Sequence, residues 1–338
     1  MTEKKNLSPD LPLKTKISLS LLVGVTDFVR RSNGSINRFL LNLVVPTTKA
    51  PSKTVNGVKV SDIIVDSTRN LWFRLFVPTE VHNADSKLPV LIFIHGGGFS
   101  FLSPDTREYD VLCRRLAREI PAIVVSINYR LSPEHRYPAP YDDVFDVLEF
   151  LDQKRFDEFP VNADLSRCFV AGDSAGGNIG HHVICRVAKA ESVFTELNVL
   201  GFIAMQPYFG GEERTESEIR LNGAPIISFD RTDWHWKAFL PEGANRDHEA
   251  ANVFGPNSTD ISDLQNFPST LLIIGGFDPL QDWQMRYYEG LKRSGKRVQL
   301  VKYPNAIHAF YVFPELPEFK LLLAEMTNFI TCNGDIKQ

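Results

Sequence analysis

The chain has 338 residues, 43% of them hydrophobic, so a large buried core is within reach of one large domain or two small ones. Its 37 Lys and Arg against 41 Asp and Glu leave a formal net charge of −4, without the basic excess that binds nucleic acid or an anionic membrane. Cys113, Cys168, Cys185 and Cys332 form no C-x-x-C pair, which argues against a disulfide scaffold or zinc ribbon and for a reducing compartment, the cytoplasm with the nucleus as an alternative.

Residues 1–50 read as a helical piece apart from the rest. Leu19, Leu22, Val23, Thr26 and Val29, then Phe39, Leu40 and Leu43, recur at helical spacing, and Pro46 to Lys53 reads as a non-regular connection. An arm packed on the body and a lid over a pocket both fit that pattern. The apolar run Ile17 to Val25 is too short to span a bilayer and lacks a nearby cleavage site, so neither a membrane span nor a signal peptide is expected.

Residues 51–338 read as the body of the chain, which with the N-terminal piece makes a single domain overall. Val60 to Val77 suggests antiparallel strands at a sheet edge, followed by apolar runs at Pro89–Ile94, Ala122–Ile127, Arg167–Ala171, Leu200–Met205, Thr270–Ile274 and Val298–Val301. Continuous apolar strands suit a sheet covered on both faces. Tyr109, Leu112 and Leu116, then Tyr141, Val144 and Leu148, mark helices between them. The alternation predicts an α/β fold with a mostly parallel central sheet flanked by helices.

The strongest chemical signal is Gly172-Asp173-Ser174-Ala175-Gly176-Gly177, which follows a strand and opens a helix carrying Ile179, Val183, Ile184 and Val187. This is G-x-S-x-G in a strand-turn-helix context, which presents the central serine as a nucleophile at the sheet's C-terminal edge. His95-Gly96-Gly97-Gly98 follows another strand, and bare backbone N–H groups in such a run suit an oxyanion hole. The expected donors are Gly97, Gly98 and Ala175; His95 and Gly96 are read as shaping the loop.

A serine needs a base to take its proton, and the base needs an orienting carboxylate, in the chain order Ser, acid, His. His308 lies in a loop just after the last strand pattern, whereas His235, between two tryptophans, and His248, in a charged segment, read as structural or surface residues. Asp278 falls at a strand's C-terminal end and is the favoured acid, with Asp282 the runner-up. Arg130, Glu134 and Asp142 or Asp143 read as a network bracing the loop near the nucleophile. His181 and His182 occupy adjacent helical positions, no residue group has metal-ligand spacing, and no phosphate-binding loop is present, so neither metal nor cofactor is expected.

These motifs, with Tyr129-Arg-Leu-Ser-Pro-Glu-His135, resemble the hormone-sensitive-lipase-like group of α/β-hydrolases over roughly residues 60–330. Arg31–Arg38, Tyr109–Leu116, Gly211–Glu218 and Asp233–Gly243 bring the likeness closer to plant carboxylesterases and to the soluble gibberellin receptors. The resemblance implies an α/β-hydrolase fold and a serine carboxylesterase acting on a small-molecule ester, with Ser174, His308 and Asp278 as its triad. The receptors look like esterases that lost the triad histidine and changed the third loop glycine to serine; here His308 and Gly98 are both present. The likeness to the receptors further implies that the N-terminal segment covers the pocket, with protein recruitment through it the less favoured use, and that Tyr109 and Tyr311 face the ligand. A ligand sensor that kept its triad, and a lyase or cyclase on the same scaffold, stay open beside the esterase.

Overall fold

The computed structural model describes residues 7–80, 87–153, 156–189 and 194–334. In chain order its elements are α1 (Leu13–Val29), α2 (Arg38–Val44), β1 (Val58–Asp66), β2 (Leu71–Pro78), β3 (Leu88–Ile94), α3 (Arg107–Glu119), β4 (Ile123–Asn128), α4 (Ala139–Asp152), β5 (Ala163–Asp173), α5 (Ala175–Lys189), β6 (Val199–Met205), α6 (Glu216–Arg220), α7 (Phe229–Phe239), β7 (Ser269–Phe277), α8 (Gln281–Arg293), β8 (Val298–Ile307), a 3-10 turn at Phe310–Val312, and α9 (Pro317–Gly334). The strands form one sheet in the order β1-β2-β4-β3-β5-β6-β7-β8.

β1 and β2 are an antiparallel hairpin, β2 runs antiparallel to β4, and every later pairing is parallel. This is the expected α/β architecture, with its antiparallel strands at one edge. Successive strand side chains point to opposite faces, so the apolar runs feed two cores. Val90, Ile92 and Ile94 of β3 join Val144 and Leu148 of α4, Ile179 and Val183 of α5, and Tyr287 of α8. Leu91 and Phe93 meet Leu112 and Leu116 of α3 and Leu322 and Met326 of α9 on the other side. Each polar helix face looks outward, and the strands read as unbroken apolar runs because neither sheet face meets water.

The N-terminal arm packs against α7 and the loop after β3. Val29, Ile36 and Leu41 share a small apolar cluster with Phe101, Trp234 and Ala238. Trp234 Nε1 donates to the Arg31 carbonyl at 2.7 Å, and Arg231 donates to Thr26 Oγ1 at 2.7 Å while pairing with Asp27. Arg38 reaches the carbonyls of Ser100 (2.5 Å) and Ser132 (2.7 Å) and the Glu134 carboxylate (2.6 Å). The helical spacing over α1 and α2 is real, and Leu40 packs on this cluster as expected, but Phe39 and Leu43 are exposed and Leu41 is the α2 residue buried in it. Two turns of helix are too few for periodicity to fix the buried face.

Candidate active site

β5 ends at Asp173 and α5 begins at Ala175, leaving Ser174 alone at the turn with φ 51°. A side chain in this left-handed region costs about 1–2 kcal/mol, and the surroundings hold it there. Ser174 donates its N–H to the Met205 carbonyl (2.9 Å), and its own carbonyl accepts from Tyr208 (2.8 Å). The elbow also rides directly on β3: a Cβ on Gly176 would collide with the carbonyls of Ile94 and His95.

His308 Nε2 lies 3.0 Å from Ser174 Oγ, and His308 Nδ1 lies 2.8 Å from Asp278 Oδ2. Ser174, His308 and Asp278 are 8%, 2% and 0% exposed, so their interactions are little screened by water. A carboxylate accepts only, which assigns the Nδ1 proton to the Asp278 side and leaves the Nε2 lone pair facing the serine hydroxyl. Asp278 also accepts from the Leu280 N–H (2.9 Å) and Gln284 Nε2 (2.9 Å). The three residues follow β5, β7 and β8 at the sheet's C-terminal edge. Asp282 is turned away, accepting from the Ser217 N–H at 2.8 Å.

Gln206 carries no motif that marks it in the sequence. Its amide donates to the Ile307 carbonyl (3.1 Å) and accepts from the Ala309 N–H (2.8 Å), gripping both neighbours of His308.

In the glycine loop, Gly97 and Gly98 have φ of 103° and 60°, and the Gly97 carbonyl accepts from Ser100 (3.1 Å) and Phe101 (3.0 Å) in a tight turn. Among the described hydrogen bonds none uses the N–H of Gly97, Gly98 or Ala175, so these donors are uncommitted. His95 is buried, stacked on Tyr129 at 4.3 Å, with Nδ1 2.8 Å from the Gly96 carbonyl. Burial drops its pKa to about 4, and it makes no approach to the relay's hydrogen bonds.

Asp173 ties the elbow to this loop. Its Oδ1 accepts the Gly96 N–H (2.9 Å), its Oδ2 accepts the Tyr109 hydroxyl (2.8 Å), and the same hydroxyl accepts from Gly96 at 2.9 Å. A Cβ on Gly96 would come within 2.6 Å of Asp173 Oδ2, which is why a glycine stands there. Burial lifts the Asp173 pKa to about 6, against the lowering effect of the Tyr109 hydroxyl and the nearby Tyr311. Tyr109 and Tyr311 are 3% and 0% exposed and belong to the core beneath the elbow. Tyr109's hydroxyl is thus committed to bracing Asp173 and Gly96 rather than held open toward a ligand, and Tyr311 is buried beside the same carboxylate.

The polar segment after β4 divides differently from the expected grouping. Arg130 bonds Asp143 through its backbone N–H (2.8 Å) and Nε (2.9 Å), but Glu134 takes Arg38 from the arm and Asp142 takes Arg186. His248 accepts the Ala250 N–H within its own turn. His235, expected to be structural or on the surface, packs against Gly98 of the glycine loop.

An elbow serine, a histidine–carboxylate pair and a glycine loop gathered at one edge of this sheet define an α/β-hydrolase-type scaffold. The chain belongs to the family described as alpha/beta hydrolase fold, matched over residues 91–312, and residues 45–133 match the carboxylesterase family. It is 38% identical over 331 residues to gibberellin receptor GID1C of Arabidopsis thaliana, covering 95% of this chain and 94% of the receptor. It is 34% identical over 311 residues to carboxylesterase 20 of the same plant, covering 90% and 94%. Among solved structures it resembles a hyperthermophilic esterase of the archaeon Pyrobaculum calidifontis, with TM-score 0.74, 25% identity and coverage of 96% and 99%. It sits in the hormone-sensitive-lipase-like branch shared by plant carboxylesterases and gibberellin receptors, where ester hydrolysis is supported at the level of the family. No described helix is long and apolar enough to cross a membrane.

Proposed function

We propose that the protein is a serine carboxylesterase that hydrolyses a small-molecule carboxylic ester through an acyl-enzyme. The observation that carries this reading is the continuous chain of hydrogen bonds from Ser174 Oγ through His308 to Asp278. Ser174 attacks the ester carbonyl as His308 Nε2 takes its proton, and Asp278 stabilises the imidazolium and fixes its orientation. The N–H groups of Gly97, Gly98 and Ala175 receive the oxyanion, each such donor being worth about 100- to 1,000-fold in rate. His308 returns its proton to the leaving alcohol, and water, activated by the same histidine, releases the acid. The N-terminal arm serves as the lid of the site, held by Arg231 and Arg38. Ser174→Ala should abolish turnover of a short-chain p-nitrophenyl ester while leaving the folded circular dichroism spectrum unchanged; hydrolysis retained by the variant overturns the assignment.

The likeness to gibberellin receptors over nearly the whole chain favours one second reading, a small-molecule sensor that kept its triad. Reversible ligand binding with no ester turnover by the wild-type protein would select it.

A further inference from the structure

β8 delivers His308 to the site but does not hold it there. The last rung between β7 and β8 joins Phe277 to Ile307, so the histidine stands one residue beyond the sheet ladder. The residue after it, Ala309, has φ 63°, a left-handed conformation that L side chains avoid unless neighbours impose it. Gln206 is that neighbour. Its amide carbonyl accepts the Ala309 N–H at 2.8 Å, and its amide nitrogen donates to the Ile307 carbonyl at 3.1 Å. The side chain is fully buried, and Gly275 makes room for it: a Cβ there would lie 2.4 Å from Gln206 Nε2.

The backbone that carries this amide is tied to the other two members of the relay as well. β6 ends at Met205, and the residues that follow bracket the nucleophile: the Met205 carbonyl accepts the Ser174 N–H at 2.9 Å, and the Tyr208 N–H donates to the Ser174 carbonyl at 2.8 Å. Gln206 itself has φ 44°, and its N–H donates at 2.9 Å to Ile273 of β7, the strand that leads to Asp278. Gln284 bonds Asp278 at 2.9 Å and reaches the Pro207 carbonyl at 3.5 Å, the long end for a hydrogen bond. A Cβ on Gly177, in the first turn of α5, would meet Pro207 at 3.0 Å, so the exit of β6 is packed tightly against the elbow. One short stretch of chain therefore meets the supports of serine, histidine and acid, although these follow three different strands.

We propose that Gln206 is the positioning residue of the relay: it transfers the fixed placement of the β6 exit to His308 and so sets the 3.0 Å gap between His308 Nε2 and Ser174 Oγ. The proposal rests on the esterase reading above. A displacement of about 1 Å between reacting groups costs about 100-fold in rate, so two bonds made to the backbone around the imidazole can matter as much as a contact with the ring. Gln206 makes no hydrogen bond to the reacting atoms. His308 serves acylation and deacylation alike, so its misplacement slows both steps together and leaves KM in place.

The test uses Gln206→Met, which keeps the length of the side chain but makes neither bond, and Gln206→Glu, whose carboxyl group still accepts the Ala309 N–H. With p-nitrophenyl butyrate, kcat per folded protein should fall about 100-fold in Gln206→Met with KM within about twofold of wild type, and Gln206→Glu should regain about tenfold. The proton between His308 Nδ1 and Asp278 should give wild type a far-downfield NMR resonance that broadens or shifts in Gln206→Met and is partly restored in Gln206→Glu. Wild-type kcat in Gln206→Met, a rise in KM alone, or a Gln206→Glu variant no better than Gln206→Met overturns the proposal. Should Gln206→Met not fold, Gln206→Glu is set against wild type: a lowered kcat with KM kept supports the proposal, and an unchanged kcat overturns it. If the wild type hydrolyses no ester, the esterase reading fails instead, and the resonance decides for Gln206. A resonance lost or shifted in Gln206→Met supports the placement of His308 by Gln206; one absent from wild type, or unchanged in the variant, refutes it.

Discussion

Tyr109→Phe removes one oxygen from the buried junction between the nucleophile elbow and the glycine loop. That oxygen makes two hydrogen bonds, 2.8 Å to Asp173 and 2.9 Å from Gly96, while the ring packs against Phe93 and His95 at centroid distances of 6.0 and 5.5 Å and is unaffected. A hydrogen bond to a charged group contributes about 1.5–3 kcal/mol, so the variant should lose about 2 kcal/mol of stability at pH 7.5 in urea denaturation. The loss should depend on pH with a definite sign. The Asp173 pKa is raised from 3.8 to about 6 by burial, so this group favours the folded state most below pH 3.8 and progressively less as pH rises to 6. The Tyr109 hydroxyl stabilises the ionised carboxylate, and without it the pKa rises further. The destabilisation should therefore be largest above pH 6 and shrink toward pH 5, where Asp173 is protonated in the folded protein. In kcat/KM against pH the acid limb should move upward, with kcat reduced and KM kept, because Gly96 and the oxyanion donors beside it lose one anchor. Wild-type stability and an unchanged pH profile, with KM alone raised, would refute this reasoning and restore Tyr109 to the ligand-facing role its resemblance implied.

Asp278→Asn should lower kcat by about 10,000-fold, since the amide no longer holds the productive histidine tautomer, while ester binding changes little; steady-state kinetics check it. Arg231→Ala removes the tie from α7 to Thr26 and leaves Asp27 with Arg30 of its own arm, and hydrogen exchange over α1 should accelerate by about tenfold relative to the sheet. Gly176→Ala forces a methyl group into the Ile94 and His95 carbonyls and should destabilise by about 3 kcal/mol or more, and a urea midpoint matching wild type would show that the elbow has room to yield.

The sheet, the strand-turn-helix elbow at Ser174 and the strand-end positions of Asp278 and His308 were legible in the sequence because each is local. Six apolar runs mark parallel strands wherever both sheet faces are covered, and Gly172-Asp-Ser-Ala-Gly176 is a backbone shape written in residue types. Asp278 and His308 were readable because strand ends deliver residues to one edge whatever the loops between them do. Contacts between distant segments were not legible. Nothing in the composition around Glu134 says that its partner is Arg38, some 96 residues away, or that Gln206 grips the flanks of His308. His235 looks like one more member of a Trp-His-Trp stretch until α7 is laid across the glycine loop, and Tyr109 reads equally well as a pocket residue or a brace. The sequence by itself determined which groups are chemically able to act, since motifs specify local backbone and side-chain type. Only the tertiary structure decided which groups meet, because a partner is chosen by the packing of whole elements, and burial then sets the charge each group can carry.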